Sequence, residues 1–350
     1  MSSTKSISWF SISLLSLYCA ASAQAGLVIN INAGANLAAN TQAMAAFERA
    51  AAQFENIFAD DIVVNIDADL GAFANPNTIG SASSVILNGD HDLVVGAMKA
   101  DALADNDSII AFLPSAAQVN WSDGGAGTNG MISAHKANLK ALGFTGLDTA
   151  FGANDATITF NQAFNFDFDN SDGVGAGLTD FETVAAHEIG HALGFSSVVD
   201  AINAGATNVA PRTLDLFRFE TASVPMTEAE FTLATRSIRP GVNEAFSDTE
   251  NVWRFSTGLG SGGGRDGRQA SHWKADELTG TFIGLLDPTL ASGVFYDLAT
   301  ADIRALDLIG YDFIVAVPEP SSIALVGLAA CMGLRRRRRS GTEAACAREV

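Results

Sequence analysis

Cysteine is nearly absent from this chain. The 350 residues include three cysteines. Cys19, Cys331 and Cys346 all lie in the two end segments, which leaves none between residues 26 and 316. That long central part can therefore form no disulfide bond of its own.

Basic residues are also scarce. Lys and Arg number 20 against 39 Asp and Glu, which gives a formal net charge of −19. Five of the arginines stand together close to the C-terminus, so the central part is more acidic still. An acidic surface argues against nucleic acid as a partner, because the phosphate backbone attracts positive charge. It favours solubility outside the cell.

The start of the chain has an apolar run that is too short to cross a bilayer. Lys5 precedes apolar residues 7–18, and Ala23-Gln24-Ala25 follows as a small-x-small site. This order is typical of a signal peptide, so we expect residues 1–25 to direct export and then be cleaved. A lipoprotein reading would use Cys19, but Tyr18 is bulky for the position before a modified cysteine. Exported proteins need not carry disulfides.

The other end has a second short apolar run. Pro318-Glu319-Pro320 leads into apolar residues 323–334, and Arg335 to Arg339 follow. A stable transmembrane helix needs ~20 apolar residues, and the arginines should stay on the cytoplasmic side. The arrangement predicts a segment that is held in the membrane and then processed. A tail anchor that is never processed is the alternative.

Residues 317–340 resemble the PEP-CTERM sorting signal of Gram-negative bacteria. The resemblance rests on the order of the Pro-Glu-Pro motif, the apolar run and the arginine cluster. It implies cleavage by an exosortase and delivery to the cell surface or extracellular matrix. The protein would touch the membrane only through this segment and only transiently. Residues 341–350 form a further tail.

Residues 26–316 are long enough for one large domain or two packed subdomains. Alternating apolar residues predict strands at 27–31, 62–66 and 157–168, and helical spacing predicts a helix at 40–58. Residues 213–219 form another short element, and residues 258–267 a glycine-rich loop. A last helix is expected at 301–309, with Thr300 as its cap and Gly310 as its end.

Residues 187–195 contain the most informative motif, His-Glu-Ile-Gly-His-Ala-Leu-Gly-Phe. Thr179 and Glu182 form a capping box that starts a helix near Asp180. On that helix His187 and His191 lie about 40° apart around the axis and one turn apart along it. Both imidazoles can therefore reach one zinc ion, with Glu188 beside them as a general base. Gly194 allows the helix to end sharply.

A catalytic zinc site needs a third protein ligand and an open position. In the compact metzincin spacing HExxHxxGxxH the third histidine would fall at Ser197, which is not a suitable ligand. Asp200 could reach the metal only if the chain turned back sharply. The remaining candidates are His91, His135 and His272.

His272 lies in Ser271-His272-Trp273, and the surrounding pattern resembles leishmanolysin and related bacterial metzincins. In that family HExxHxxGF is followed, many residues later, by the third histidine and a methionine-containing turn. The residues that match are His187, Glu188, His191, Gly194, Phe195 and His272. Leu286 stands where the methionine would be expected, and a Leu/Met exchange of similar volume usually costs little.

This resemblance implies an α+β fold. A twisted, mostly parallel sheet with the active-site helix would occupy an N-terminal subdomain at about residues 26–194. A smaller, loop-rich C-terminal subdomain would occupy residues 195–316. The implied activity is that of a zinc metalloendopeptidase acting on proteins or peptides, with His187, His191 and His272 as zinc ligands and Glu188 as the general base. If residues 157–168 form the edge of the cleft, they would hold an extended substrate by strand addition.

Other polar residues are expected to be structural. Asp200 is predicted to be a helix-end or surface carboxylate, and His91 and His135 are predicted to be solvated. Asp167, Asp169 and Asp172 suggest a calcium loop, although Asp172 stands where the EF-hand pattern needs glycine. An acidic structural turn is the alternative for these three carboxylates.

Two other functions compete with the peptidase. One is a surface or matrix protein of adhesin type that keeps the zinc fold with weak catalysis, which Leu286 permits. The other is a structural protein in which the HExxH motif is accidental.

Overall fold

The computed structural model describes residues 26–102 and 107–313, and the structural statements below concern these ranges. The expected signal peptide at 1–25, sorting segment at 317–340 and tail at 341–350 lie outside them. No helix in the described ranges is long and apolar enough to cross a membrane. Up to Asp312 the described chain forms one compact unit.

The unit is a mixture of helices and short strands. The strands are β1 Val28–Ala33, β2 Val63–Gly71, β3 Gly80–Ser84, β4 Ile86–Asp90, β5 Trp121–Ser122, β6 Met131–His135, β7 Ala156–Asn161, β8 Phe166–Asp167, β9 Thr179–Asp180, β10 Arg218–Glu220, β11 Arg236–Ser237, β12 Glu244–Ser247, β13 Val252–Arg254, β14 Gly258–Gly262 and β15 Arg265–Arg268. The α-helices are α1 Ala35–Ala39, α2 Thr41–Glu55, α3 His91–Asp101, α4 Lys136–Ala141, α5 Leu147–Phe151, α6 Phe181–Leu193, α7 Val199–Asn203, α8 Glu228–Leu233, α9 Asp276–Thr279 and α10 Thr300–Leu308. Short 3-10 turns occur at Ser108–Phe112, Asn170–Asp172 and Leu214–Phe217.

The principal sheet has the strand order β1-β2-β7-β3. β1, β2 and β7 run parallel to one another, and β3 is antiparallel to β7. Alternate residues of β2 are buried, because a strand points successive side chains to opposite faces.

Helices α2 and α6 pack against each other; α2 also contacts β1, and α6 contacts β3 and β7. The predicted helix at 40–58 is confirmed, with Asn40 as its cap: the side chain accepts a hydrogen bond from the Ala43 amide at 3.1 Å. Phe47 of α2 meets Phe160 of β7 edge to face at 5.3 Å between ring centroids. The layer of helix over sheet places α6 beside the edge strand β3.

The predicted strand at 157–168 is divided in two. β7 ends at Asn161, whose side chain accepts a hydrogen bond from the Ala163 amide at 3.0 Å and whose carbonyl accepts one from the Phe164 amide at 3.1 Å. The resulting turn interrupts the alternating pattern. Phe166 and Phe168 instead pack against Phe181, each at 5.1 Å between centroids.

The expectation that residues 157–168 form the cleft edge is wrong for a related reason. β7 pairs with β2 on one side and with β3 on the other, so its backbone groups are already used within the sheet. β3 is the edge of this sheet that lies against α6, since in the described chain it pairs within the sheet with β7 alone; β1 is the opposite edge. Any strand added beside α6 would therefore pair with β3.

A second sheet has the order β13-β12-β10-β11-β5. The buried guanidinium of Arg218 on β10 pairs with the buried carboxylate of Glu244 on β12. Residues 213–219, predicted as one short element, form a 3-10 turn followed by the start of β10. The predicted glycine-rich loop at 258–267 is a hairpin, β14 paired with β15.

Candidate metal centre

The HExxH motif lies on α6, which is capped by Asp180 at its start and by Gly194 at its end. Asp180 caps the start, accepting hydrogen bonds from the Thr183 amide at 2.8 Å and the Thr183 hydroxyl at 2.6 Å. The predicted cap, Thr179, is therefore one residue too early. Gly194 ends the helix at φ +128°, a backbone angle that favours glycine. A Cβ at Gly194 would also lie 3.1 Å from Cδ1 of Ile309.

Three imidazoles converge at one point. The Nε2 atoms of His187 and His191 are 3.1 Å apart, and the Nε2 atom of His272 lies 3.2 Å from the first and 3.1 Å from the second. Three nitrogens bound to one tetrahedral zinc would be about 3.3 Å apart, since zinc–nitrogen bonds are ~2.0–2.1 Å. We call these residues the histidine triad. It is the one group of three or more potential ligands that the described residues bring together.

The second nitrogen of each ring faces a backbone carbonyl, which can only accept a hydrogen bond. The Nδ1 contacts are His187 to Leu285 at 2.9 Å, His191 to Phe195 at 2.7 Å and His272 to Gln269 at 3.2 Å. Each Nδ1 must therefore carry the proton, and each Nε2 presents a lone pair to the other two. Three lone pairs this close repel one another unless a cation lies between them, so the donor set fits a metal ion.

The triad is electrically neutral around pH 7. Burial lowers the pKa of His187 to about 3, and the positive charge of a protonated His191 would lower it further. Burial likewise lowers the pKa values of His191 and His272. Neutral imidazole is the form that binds metal, so no proton has to be removed before an ion enters at neutral pH.

Glu188 lies between α6 and the edge strand β3. Its side chain is buried, and this burial raises its pKa to about 8, while a hydrogen bond with the Ala82 backbone acts in the opposite direction. A Cβ at Gly80 of β3 would lie 2.7 Å from Oε1 of Glu188. Glycine at this position therefore allows the carboxylate to sit against the strand. A nearby cation would favour the charged carboxylate.

The segment that carries His272 is attached to the rest of the site by Asp200. The carboxylate of Asp200 accepts hydrogen bonds from the Ala270 amide at 2.7 Å, the Ser271 amide at 2.9 Å and the Ser271 hydroxyl. Asp200 lies in the first turn of α7, in keeping with the helix-end carboxylate that we expected, and it is not a member of the triad. It holds the two residues immediately before His272.

A turn containing Leu286 lies beneath α6. The buried carboxylate of Asp302 accepts hydrogen bonds from the Leu285 amide at 2.6 Å, the Leu286 amide at 3.2 Å and Nε1 of Trp273 at 2.8 Å. Leu286 is fully buried, and a Cβ at Gly190 would lie 3.0 Å from its Cδ2. The leucine fills the space under the helix at the point where Gly190 leaves room for it.

Asp302 also caps α10 from within its first turn. Its carboxylate accepts a hydrogen bond from the Ala299 amide at 2.9 Å. Thr300 is the first residue of the helix and not its cap, so that prediction is one residue late.

The triad opens into a cleft of about 910 Å³. One wall is the edge strand β3, and another is the chain around Ser196, Ser197 and Arg212. The residues of the triad and Glu188 all line it. The cleft is large enough for several residues of an extended peptide.

His91 and His135 are both buried, so the prediction that they are solvated is wrong. His91 is the first residue of α3, and its Nδ1 lies 3.3 Å from the Asp92 carboxylate. His135 ends β6, and its Nε2 lies 2.8 Å from the Ser196 hydroxyl. Neither belongs to the triad.

In the acidic turn before α6, carboxylates accept hydrogen bonds from backbone amides. Asp167 accepts hydrogen bonds from the Asp169 amide at 3.1 Å and the Gly175 amide at 2.8 Å, and Asp169 accepts one from the Ser171 amide at 3.2 Å. Asp172 lies in a 3-10 turn. The described residues do not bring these three carboxylates together as one ligand group. Calcium binding stays a prediction.

A family model described as the PEP-CTERM protein-sorting motif matches residues 316–339. The match confirms the sorting segment predicted at 317–340. The protein is thus exported, anchored at the membrane for sorting, and processed by an exosortase-type enzyme. No curated protein and no solved structure matches the chain.

Proposed function

We propose that this protein is an exported zinc metalloendopeptidase with a leishmanolysin-like metzincin fold. The observation that carries the proposal is the convergence of three neutral imidazoles, each with its Nε2 lone pair facing the other two. Glu188 lies beside them at the edge of a peptide-sized cleft. Three histidines plus one open position form a common ligand set of catalytic zinc, whereas closed structural sites use four protein ligands.

The ion in this site would supply Lewis-acid activation of water and polarisation of the substrate carbonyl. His187, His191 and His272 would hold it, and their Nδ1 hydrogen bonds to backbone carbonyls would orient the rings. Glu188 would accept a proton from the attacking water at a carboxylate oxygen and then deliver it to the leaving amine nitrogen. Glu188 is not one of the ligands, so its carboxylate stays available for this transfer.

The edge strand β3 would align the substrate. Its free backbone groups can pair with an extended peptide, and Gly80 brings the strand close to Glu188. A peptide on this edge would therefore present its backbone carbonyl to the triad. Since the chain is exported and processed through its sorting motif, the substrates would be proteins at the cell surface or in the matrix of a Gram-negative bacterium.

The first test replaces Glu188 by Gln. We expect E188Q to bind one zinc ion per chain with wild-type stoichiometry and to lose about 10²–10⁴-fold in kcat/KM, since general-base catalysis contributes that much. Cleavage of casein and of a fluorogenic peptide would be measured beside the zinc content of the purified protein. Glu182→Gln is the matched control, because Glu182 lies on the same helix but pairs with Arg49 and is not part of the cleft.

Three other outcomes would contradict the proposal. Full activity in E188Q would contradict the mechanism. Bound zinc with no cleavage by the wild-type protein would favour the surface-protein alternative. A purified protein that takes up no zinc would favour an accidental motif.

A further inference from the structure

The wall of the cleft beyond β3 holds an arginine that forms no ion pair within residues 26–102 and 107–313. Arg212 lines the same cleft as the triad and is partly buried. Its Nη1 donates to the Ser133 hydroxyl, but its buried Nε has no hydrogen-bond partner. Asp215 and Asp200 act on it electrostatically, but no carboxylate of the described residues forms an ion pair with its guanidinium.

The two carboxylates that act on Arg212 from a distance are already engaged. Asp215 accepts hydrogen bonds from the Ser197 hydroxyl at 2.6 Å and from the amides of Val198 and Arg212 at 3.0 and 2.7 Å. Asp200 holds the segment before His272, as described above. Neither forms an ion pair with the Arg212 guanidinium. A partly buried guanidinium without a paired carboxylate is costly to maintain, since buried charges are normally paired.

Arg212 lies on the cleft wall near the carboxyl end of the edge strand β3. β4 follows β3 after a single residue, and β4 pairs with β6, where Ser133 lies. Arg212 forms a β-bridge with Ser133, so it stands past the carboxyl end of β3. Gly80, at the amino end of the same strand, lies against Glu188. The reacting centre and Arg212 are therefore separated along the direction of β3.

The wall around Arg212 can also form hydrogen bonds. His135 and Ser196 line the cleft there and contact each other at 2.8 Å. A carboxylate placed here would meet a guanidinium, which offers several N–H donors, beside a hydroxyl group.

We propose that Arg212 is the specificity-determining residue of an acidic subsite, which binds a substrate Asp or Glu side chain on the amino-terminal side of the scissile bond. The inference rests on the proposed peptidase function. The side follows from the strand direction: antiparallel pairing is the more stable mode, and a peptide antiparallel to β3 places its amino-terminal part near the carboxyl end of β3. Two arginines line the cleft of this acidic protein, and Arg268 is already paired with Glu277. Among the cleft residues that the structure describes, the positive charge of Arg212 is therefore the one free to attract an acidic peptide.

The test measures binding without hydrolysis. Zinc-loaded E188Q is titrated into fluorescein-labelled heptapeptides that carry one Glu at each position in turn, with Gln at the same position as the neutral match, and anisotropy is recorded. We expect the Glu peptide to bind about 10-fold more tightly than its Gln match at one or two adjacent positions, the gain of a charge-assisted hydrogen bond. In E188Q/R212Q this ratio should fall to about 1.

Two further variants keep the test sharp. E188Q/R212K retains the positive charge and should keep part of the ratio, and it serves where R212Q does not fold. E188Q/R254Q removes an exposed arginine that does not line the cleft and should leave the ratio unchanged. An equal affinity for Glu and Gln peptides at every position, or a Glu preference that survives R212Q, would overturn the proposal.

Cleavage by the wild-type protein is measured separately on the same peptides. Cleavage without any Glu preference would contradict the acidic subsite while supporting the peptidase. A Glu preference in binding with no cleavage would contradict the peptidase while supporting the subsite. A preference for Glu on the carboxyl-terminal side of the cut would contradict the proposed strand direction, and with it the assignment of Arg212.

Discussion

The histidine triad is assembled from two regions that are organised in different ways. His187 and His191 lie on one helix, and the helical repeat alone brings them together. His272 comes from a segment between β15 and α9 that has no regular structure. It is held by the carboxylates of Asp200 and Asp302, through the residues before it and the tryptophan after it.

The two parts of the triad are held in place by different kinds of interaction. The helical half is stabilised by its own backbone hydrogen bonds and by the packing of α2 and α6. The other half is held by long-range hydrogen bonds: the Ser256 amide donates to the His272 carbonyl at 3.0 Å, and the carboxylates of half-buried Asp200 and buried Asp302 accept from the neighbouring residues. Losing a carboxylate leaves its donors without partners. Changes in the anchoring carboxylates should therefore damage the site while α6 persists. The following variants test this contrast.

The largest effect is expected from Asp302→Ala. The substitution leaves three buried donors unsatisfied, namely the amides of Leu285 and Leu286 and the indole N–H of Trp273, and also the part-buried amide of Ala299. We expect a loss of about 3–5 kcal/mol in the free energy of unfolding, because hydrogen bonds to charged groups contribute ~1.5–3 kcal/mol each and are not additive. Urea denaturation of the metal-free protein measures it.

Asp61→Ala is the control for this variant, since Asp61 is exposed. It should change stability by less than about 0.5 kcal/mol. A loss in D302A no greater than that in D61A would show that the turn beneath α6 does not depend on Asp302.

A smaller effect is expected from Asp200→Asn. The amide keeps one acceptor oxygen but cannot accept from both the Ala270 and Ser271 amides and the Ser271 hydroxyl. Because Asp200 positions His272 without belonging to the triad, the proposed site should lose about 10-fold to 100-fold in zinc affinity, as for other supporting residues. Competition with a fluorescent chelator measures it, and circular dichroism should show α6 unchanged.

Asp123→Asn is the matched control. Asp123 also accepts hydrogen bonds from two backbone amides, those of Gly125 and Gly127, but it lies outside the segments that carry the triad. Its zinc affinity should equal that of the wild type. Equal affinities in both variants would indicate that His272 is held by other contacts.

The smallest effect is expected from Leu286→Met. Leu286 is fully buried beneath α6, and the exchange conserves volume, so the free energy of unfolding should change by less than about 1.5 kcal/mol. Zinc affinity should stay within about three-fold, because Leu286 supports the site through packing. Leu286→Ala, which leaves a cavity, should cost about 2–5 kcal/mol. An L286M loss as large as that of L286A would mean that leucine is specifically required.

Several elements could be predicted from local patterns. The helix at 40–58 and the helix ending at Gly194 both have apolar residues at helical spacing and a capping side chain, and the second also has a terminating glycine. All of these signals act within a few residues. The errors are also local in origin. Asp180, and not the neighbouring Thr179, caps the helix. The side chain of Asn161 accepts a hydrogen bond that forms a turn within the alternating run.

The anchors of the site could not be predicted in this way. Asp200 meets its partners 70 and 71 residues away, and no spacing in the sequence records such a pairing. The same holds for the histidines: His91 and His135 stand among polar residues in the sequence, yet neighbouring elements bury both. Burial of a single side chain depends on what packs over it, which is a property of the whole fold.

Residue order alone decided the half of the site that depends on helical periodicity, namely His187, Glu188, His191 and the stop at Gly194. It also decided the sorting motif near the C-terminus, because that motif consists of adjacent residues. Tertiary structure decided what the sequence left open: that β3 is the sheet edge beside α6, that Asp200 holds the segment before His272, and that Arg212 lines the cleft without an ion-pair partner among the described residues. These features arise where distant segments meet, and chain spacing does not encode the distances between such segments.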